Sequence, residues 1–237
     1  DAVPLLARAG FIGVNLTIPH KLAVIPMLDV IEPRAKLLGA VNTIAMRDGA
    51  LHGFNTDGPG LVRALAADFG VRLGDLRVLI LGAGGGAGRA IALQCALEGC
   101  PRIVLVNRTL DKVEALAADI RGLPSLKRSA PEVYAVGTDD VSLREHAAAT
   151  DLILQCSSLG MHPGDASPLN ADFLRDSHLV YDTIYSNRTQ LIADAAALGA
   201  QTANGLSLLL HQGALAFEIW FEQPAPVELM ALALRNG

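Results

Sequence analysis

The feature that most constrains the fold is "VLILGAGGGAGRAIAL", residues 78–93. A short apolar run ends at Leu81, a glycine-rich turn follows, and a stretch of helical length and composition comes next. Gly82-x-Gly84-x-x-Ala87 therefore stands directly after a strand and before a helix. In that place each small residue has a mechanical task. Gly82 allows a tight turn, Gly84 lets the backbone approach a pyrophosphate, and Ala87 keeps the helix close to the strand. The helix N-terminus then faces the negative charge. The whole turn, Gly82, Ala83, Gly84, Gly85, Gly86 and Ala87, is expected to line a dinucleotide.

The pattern around this turn is repetitive. "RVLILG", "RIVLVN", "VYAVG", "DLILQC" and "HLVYDTIY" are short apolar runs bounded by turn residues, and helical stretches such as "AGRAIALQCALEG" and "LDKVEALAADI" separate them. Strands alternating with helices predict a parallel sheet covered on both faces, an α/β fold of the doubly wound, Rossmann-like kind. The first 56 residues read differently. "FIGVNLTI" predicts a strand, "HKLAVIPML" a helix, and "AVNTIAMRDGALHGFN" two strands about the turn pair Asp48-Gly49. That is a smaller α/β unit. After Gly205, "LSLLLHQGALAFEIWF" and "PVELMALALRNG" predict two closing helices. Two domains are expected, divided near Asp57.

Composition narrows the function. With 237 residues, 51% hydrophobic and 18% charged, the chain can bury a large core and is not of disordered composition. A formal net charge of −5 without a Lys/Arg cluster argues against a nucleic-acid or anionic-membrane surface. No apolar run is long enough to span a membrane, and the opening "DAVPLLARAG" is not a signal peptide. Cys95, Cys100 and Cys156 fit no zinc spacing; they read as reduced thiols of a cytoplasmic protein, and no metal is expected. The sequence lacks an initiator Met and begins as though cut from something longer.

The cofactor follows from the end of the next strand, "VNRTLDK". A site for NAD usually has Asp or Glu there for the ribose diol. This chain has Asn107, Arg108 and Thr109, with Lys112 a turn later. An acid repels a 2′-phosphate, whereas an arginine and a lysine bind one, so NADP is expected. A nicotinamide enzyme also needs a group that exchanges a proton with the substrate oxygen. Lys21, after the apolar run of "GVNLTIPHK", is either a surface charge or that group. Asp57 in "GFNTDGPG" stands at or beside a helix N-cap, near the domain junction where ligand clefts form. It is either a cap or the carboxylate that holds the lysine.

Taken in order, "GVNLTIPHK", "GAVNTI", "GFNTDGPG", "LGAGGGAG", "VNRT", "CSSLGM", "DTIY" and "NGLSLLLHQGALAFEIW" resemble the shikimate dehydrogenase family from about residue 10 to residue 230. The resemblance implies that Lys21 and Asp57 are the catalytic pair. It implies that Thr17, Asn42 and Gln212 bind substrate hydroxyls beside them, that Tyr185 lies in the cleft, and that Thr183 and Gly205 touch the nicotinamide half. The substrate domain is then residues 1–57, the NADP domain 58–204, and the helices of 205–237 return to the substrate domain. The family's Ser-x-Ser pair for the substrate carboxylate would precede the first residue here, so the substrate domain is expected to be N-terminally incomplete. The implied reaction is the reversible NADP-dependent reduction of 3-dehydroshikimate to shikimate in aromatic amino-acid biosynthesis, by a monomer or homodimer. The rivals are a quinate/shikimate dehydrogenase and a non-catalytic NADP-binding regulatory relative.

Overall fold

The computed structural model describes residues 2–17, 19–123, 130–162 and 164–236. Ile18 of the Thr-Ile-Pro run and Gly237 at the end of the last helical stretch lie outside the described residues. The chain divides into two compact units: Asp1–Arg63 with Leu209–Gly237, and Ala64–Leu208. The cuts fall inside helices, not at the turns beside Asp57 and Gly205.

The first unit is built on a four-stranded sheet of order β1-β3-β4-β2: Gly13–Asn15, Thr43–Arg47, Ala50–Phe54 and Val30–Ile31 in that spatial order. Strands β3 and β4 form the hairpin expected around Asp48-Gly49. Both turn residues have positive φ, 49° and 80°, as a two-residue hairpin with the twist of its strands requires. Strand β1 pairs antiparallel with β3, and β2 parallel with β4. Helix α1 covers Ala2–Arg8. The expected helix after "TIP" is broken by Pro26 into the one-turn α2, His20–Ala23, and a 3₁₀ turn, Ile25–Met27. Helix α3, Pro33–Leu38, starts and stops by local chemistry. The Glu32 carboxylate accepts from the Ala35 N–H at 3.0 Å, Pro33 fills the first position, and Gly39 at φ 66° ends the helix. Val24, Ala35, Val41, Ile44 and Leu51 form the core of this unit.

The second unit holds a six-stranded, wholly parallel sheet of order β10-β9-β8-β5-β6-β7. Its strands are β5 Arg77–Leu81, β6 Arg102–Asn107, β7 Glu132–Gly137, β8 Leu152–Gln155, β9 Leu179–Asp182 and β10 Gln201–Asn204. The first four residues after the leading arginine of β5, Val78 to Leu81, are buried, as are all four of β8. That continuous burial is what helices on both faces impose. Helices α5 (Gly86–Glu98), α6 (Leu110–Arg121), α7 (Leu143–Ala148) and α8 (Gln190–Ala197) supply the cover. Counting outward from β5, the order reverses between β5 and β8. Such a switch point opens a crevice at the carboxyl ends of the strands. Helix α4, Asp57–Phe69, and helix α9, Leu206–Phe221, are the two in which the division falls; α10, Val227–Asn236, ends the chain.

Candidate functional site

In the first unit the motifs converge on Asn42. Its carbonyl accepts from the Leu16 N–H at 2.7 Å, and its N–H donates to the Phe54 carbonyl at 3.1 Å. The neighbouring Val41 N–H donates to the carbonyl of Lys21 at 3.0 Å. Backbone pairing thus brings residues 16, 21, 42 and 54 together whatever the side chains do. The strand expected over "FIGVNLTI" is shorter in the structure: β1 stops at Asn15, and Lys21 sits on α2, just after the turn closed by the His20 N–H on the Thr17 carbonyl at 2.8 Å.

Lys21 Nζ donates to Asp57 Oδ2 at 2.8 Å, with the two side chains 27% and 26% exposed. A pair this open contributes no more than about 1 kcal/mol to stability, so stability does not account for it. The same openness leaves two further ammonium donors for a small molecule. Asp57 is the first residue of α4, yet it does not cap that helix. The Asn55 side chain accepts from the Gly58 N–H at 3.2 Å, and the Thr56 carbonyl from the Gly60 N–H at 2.9 Å. Relieved of capping, the carboxylate takes Lys21 on one oxygen and Asn42 Nδ2, at 3.0 Å, on the other. Gln212 on α9 completes the group. Its Oε1 lies 3.4 Å from Asn42 Nδ2, and its Nε2 donates to the Leu209 carbonyl at 3.1 Å. Thr17 is exposed, and its hydroxyl has no partner among the described residues. The cluster presents an ammonium, a carboxylate and amides side by side, enough to bind a polyol and to move a proton at one of its oxygens.

In the second unit the glycine turn lies at the carboxyl end of β5. Gly82 has φ 77°, and a Cβ there would lie 2.7 Å from the Ser157 nitrogen, on the turn after β8. The close helix–strand approach expected of Ala87 is made one residue later. Ala87 is exposed, whereas Gly88 is buried, and a Cβ on Gly88 would collide with the Gly82 carbonyl. The turn carries an extra glycine, so the helix meets the strand at 88. Gly85 is the N-cap of α5 and no side chain caps the helix, so its first N–H groups face outward with the dipole behind them. A Cβ on Gly86 would meet nothing. Gly84 completes a cradle into which an anion can settle against backbone, whereas Ala83 is buried beneath it with its N–H on the Val106 carbonyl at 3.1 Å.

Asn107 ends β6 beside this cradle; a Cβ on Gly84 would stand 2.7 Å from its Nδ2, which donates to the Thr109 carbonyl at 3.0 Å. Arg108, Thr109 and Lys112 are exposed, and neither cation has an ion-pair partner among the described residues. The pyrophosphate and 2′-phosphate of NADP fit such a donor set. At the end of β9, Thr183 and Gly205 meet: a Cβ on Gly205 would collide with the Thr183 carbonyl. The loop that follows β9 is fixed by Asp182, whose carboxylate accepts from Thr189 Oγ1 at 2.7 Å and the Ile184 N–H at 2.9 Å. Burial holds the Asp182 carboxyl above its ordinary range. Tyr185 follows on the same loop and is 52% exposed. Among the described residues no three metal-ligating side chains gather.

Four polar residues near Asn42 escaped the sequence reading. Asn15 Nδ2 donates to Thr43 Oγ1 at 2.9 Å, and Thr43 and Thr56 both contact the Asn42 amide. Asn55 does the capping that Asp57 was a candidate for. The signal was present in part, since "NLT", "NTI" and "NTD" each place a polar side chain beside a motif residue. Nothing in their spacing says that they meet.

Comparison with known proteins identifies relatives of the chain. Residues 1–44 match the model of the shikimate dehydrogenase substrate binding domain, residues 64–158 that of shikimate/quinate 5-dehydrogenase, and residues 205–235 that of the shikimate 5′-dehydrogenase C-terminal domain. The shikimate dehydrogenase (NADP(+)) of Moorella thermoacetica is 43% identical over 236 residues, which are 98% of this chain and 77% of that protein. A shikimate dehydrogenase crystallised with NADP+ superimposes with a TM-score of 0.87 at 36% identity, covering 99% of this chain and 79% of that one. The Listeria monocytogenes shikimate 5-dehydrogenase, crystallised with shikimate and NAD, gives 0.88 at 34% identity over 99% and 81% of the two chains. The glycine turn, the Lys21–Asp57 pair and these matches together place the chain in the shikimate dehydrogenase family.

Proposed function

We propose that this protein catalyses the reversible NADP-dependent reduction of 3-dehydroshikimate to shikimate. The observation that carries the reading is the Lys21–Asp57 contact of 2.8 Å, with Asn42 on the other carboxylate oxygen. Bound NADP(H) supplies or accepts a hydride at its nicotinamide ring. Lys21 gives the 3-oxygen its proton in reduction and takes it back in oxidation. Asp57 holds the ammonium in place and accepts from a ring hydroxyl. Asn42, Gln212 and Thr17 bond the remaining hydroxyls, and Tyr185 adds a phenol. Of the turn from Gly82 to Ala87, the N–H groups of Gly84, Gly86 and Ala87 take the pyrophosphate, since those of Gly82, Ala83 and Gly85 already donate to the Val106 and Gly82 carbonyls. Asn107, Arg108, Thr109 and Lys112 take the 2′-phosphate, while Thr183 and Gly205 flank the nicotinamide. On this reading the first unit serves the acid and the second the nucleotide. The thiols of Cys95, Cys100 and Cys156 are free, as suits the cytoplasm, and no helix among the described residues is long and apolar enough to cross a membrane.

Steady-state turnover with shikimate and quinate, each with NADP+ and NAD+, tests the reading. The pair shikimate and NADP+ is expected to give the largest kcat/KM. A preference for quinate would move the protein to the quinate branch of its family. A preference for NAD+ would overturn the role given to Arg108. No turnover in any combination would favour the regulatory relative.

A further inference from the structure

The amide of Asn42 stands between a group that can only donate and a group that can only accept. The Thr56 backbone N–H lies 2.8 Å from Asn42 Oδ1, and the Asp57 carboxylate 3.0 Å from Nδ2. This fixes which end of the amide is oxygen. Two buried hydroxyls, each able to donate or accept, complete the surroundings of the amide. Thr43 Oγ1 donates to Oδ1 at 3.1 Å. Thr56 Oγ1 lies 2.9 Å from Nδ2, 3.3 Å from Oδ1 and 3.1 Å from Thr43 Oγ1. Asn15 feeds the chain by donating to Thr43. Asn42, Thr43 and Thr56 are 2%, 0% and 2% exposed, so water cannot replace a partner that is removed.

We propose that Thr56 is a positioning residue that acts on the Lys21–Asp57 pair through Asn42. Its N–H grips one end of the amide and its hydroxyl accepts from the other. The second hydrogen of Nδ2 is thereby occupied, and the first is held on Asp57 Oδ1. Without the hydroxyl, Nδ2 turns toward Gln212 Oε1, its remaining neighbour at 3.4 Å. Asp57 then loses a fixed donor and presents Lys21 less well. The effect belongs to the chemical step and leaves the nucleotide untouched. The catalytic part of this inference rests on the reading of Lys21 and Asp57 given above; the amide geometry does not.

The test uses Thr56→Val, which keeps shape and backbone, and Thr56→Ser, which restores the hydroxyl. In the full chain labelled with ¹⁵N-asparagine, the Asn42 side-chain signal is identified by its loss in Asn42→Ala. Its hydrogen exchange is expected to be at least about tenfold faster in Thr56→Val and near the parent rate in Thr56→Ser. Unchanged exchange in Thr56→Val overturns the proposal with no substrate present. With shikimate and NADP+, Thr56→Val is expected to lower kcat roughly tenfold with little change in KM for NADP+. In the Asn42→Ala background the same change is expected to cost less than about twofold. Equal losses in the two backgrounds would show that Thr56 acts by another route and overturn the proposal. If Thr56→Val fails to fold, Thr56→Ala removes the same hydroxyl in a smaller side chain and must show the same dependence on Asn42. If the parent does not oxidise shikimate, the functional reading fails, and the exchange rates alone decide whether Thr56 positions the amide.

Discussion

The glycine turn of the second unit and the Lys21 cluster of the first handle charge in opposite ways. The turn is made of backbone. Its donors are the uncapped N–H groups at the start of α5, and its shape comes from residues whose merit is having no side chain. The Lys21 cluster is made of side chains drawn from α2, the residue before β3, the start of α4 and α9. A backbone site is written in consecutive residues, and at Gly82, Gly84 and Gly88 it leaves no room for a Cβ. A side-chain site is written in scattered residues, and each can be removed without moving the chain. Substitutions in the first should therefore damage folding and nucleotide binding together. Those in the second should damage chemistry and spare both.

The largest expected effect separates the two most sharply. Lys21→Ala should lower kcat by about 10²–10⁴-fold, the usual cost of losing a general acid or base, while NADPH affinity and melting temperature stay near the parent values. A variant within about threefold of the parent in kcat would return Lys21 to an ordinary exposed cation. On the backbone side, Gly88→Ala should cost about 3 kcal/mol or more and weaken NADPH binding, because the new Cβ meets the Gly82 carbonyl, which cannot move aside. Ala87→Ser, at the exposed neighbour, should do neither. Thermal unfolding and a fluorescence titration read both. If Ala87→Ser were the damaging change, the placement of the helix against the strand would be wrong.

Arg108→Ala is the intermediate case, a side chain added to a backbone site. Removing a charged fork from a phosphate should weaken NADPH binding roughly ten- to a hundredfold. NADH binding should barely change. Equal losses for both nucleotides would mean that Arg108 acts through the fold or the adenine.

These predictions follow the division between what the sequence makes plain and what it hides. The glycine turn was legible because its strand, turn and helix are contiguous and each glycine has one mechanical reason. So was the hairpin at Asp48-Gly49, where both residues need positive φ. The edge strands β2 and β10 were not. Val30–Ile31 is too short to show a period, and "QTAN" has no apolar alternation because it pairs only with β9. That the helices after residue 208 group with the first segment is a matter of long-range contacts. Trp220 Nε1 donates to the Ile44 carbonyl at 2.9 Å, and Arg63 and Glu218 pair through two bonds of 3.0 and 2.9 Å. Periodicity carries no partner information, and only the family resemblance suggested the grouping. Lys21 and Asp57 were each ambiguous alone. What resolves Asp57 is Asn55, an inconspicuous residue that takes over the cap.

A smaller effect tests that point. Asn55→Ala should cost about 1 kcal/mol, the usual value of an N-cap, whereas Asp57→Asn should leave unfolding nearly unchanged and lower kcat. The reverse pattern would make Asp57 the cap after all. The smallest effect lies at the other end of β5 from the glycine turn. Arg77 donates to Asp151 from its backbone N–H at 2.8 Å and from Nε at 2.9 Å, and this holds the Asp151 carboxyl below its ordinary range. A depressed folded pKa gives stability that is present above the unfolded value of about 3.9 and is lost as pH falls through the folded one. Asp151→Asn should therefore lower stability slightly at pH 7, by less than about 1 kcal/mol for so exposed a pair, and the difference should shrink toward pH 3. NADPH binding should not respond. A difference that grew toward acid would mean that the ion pair is not its source.

The central claim is that Lys21 and Asp57 act as one group. The direct measurement is kcat for shikimate oxidation by Lys21→Ala, Asp57→Asn and the double variant, at saturating NADP+. Groups that work as a unit are strongly non-additive. The double variant is expected to be no slower than Lys21→Ala alone, within about threefold. Losses that multiply would show two independent contributions and contradict the account.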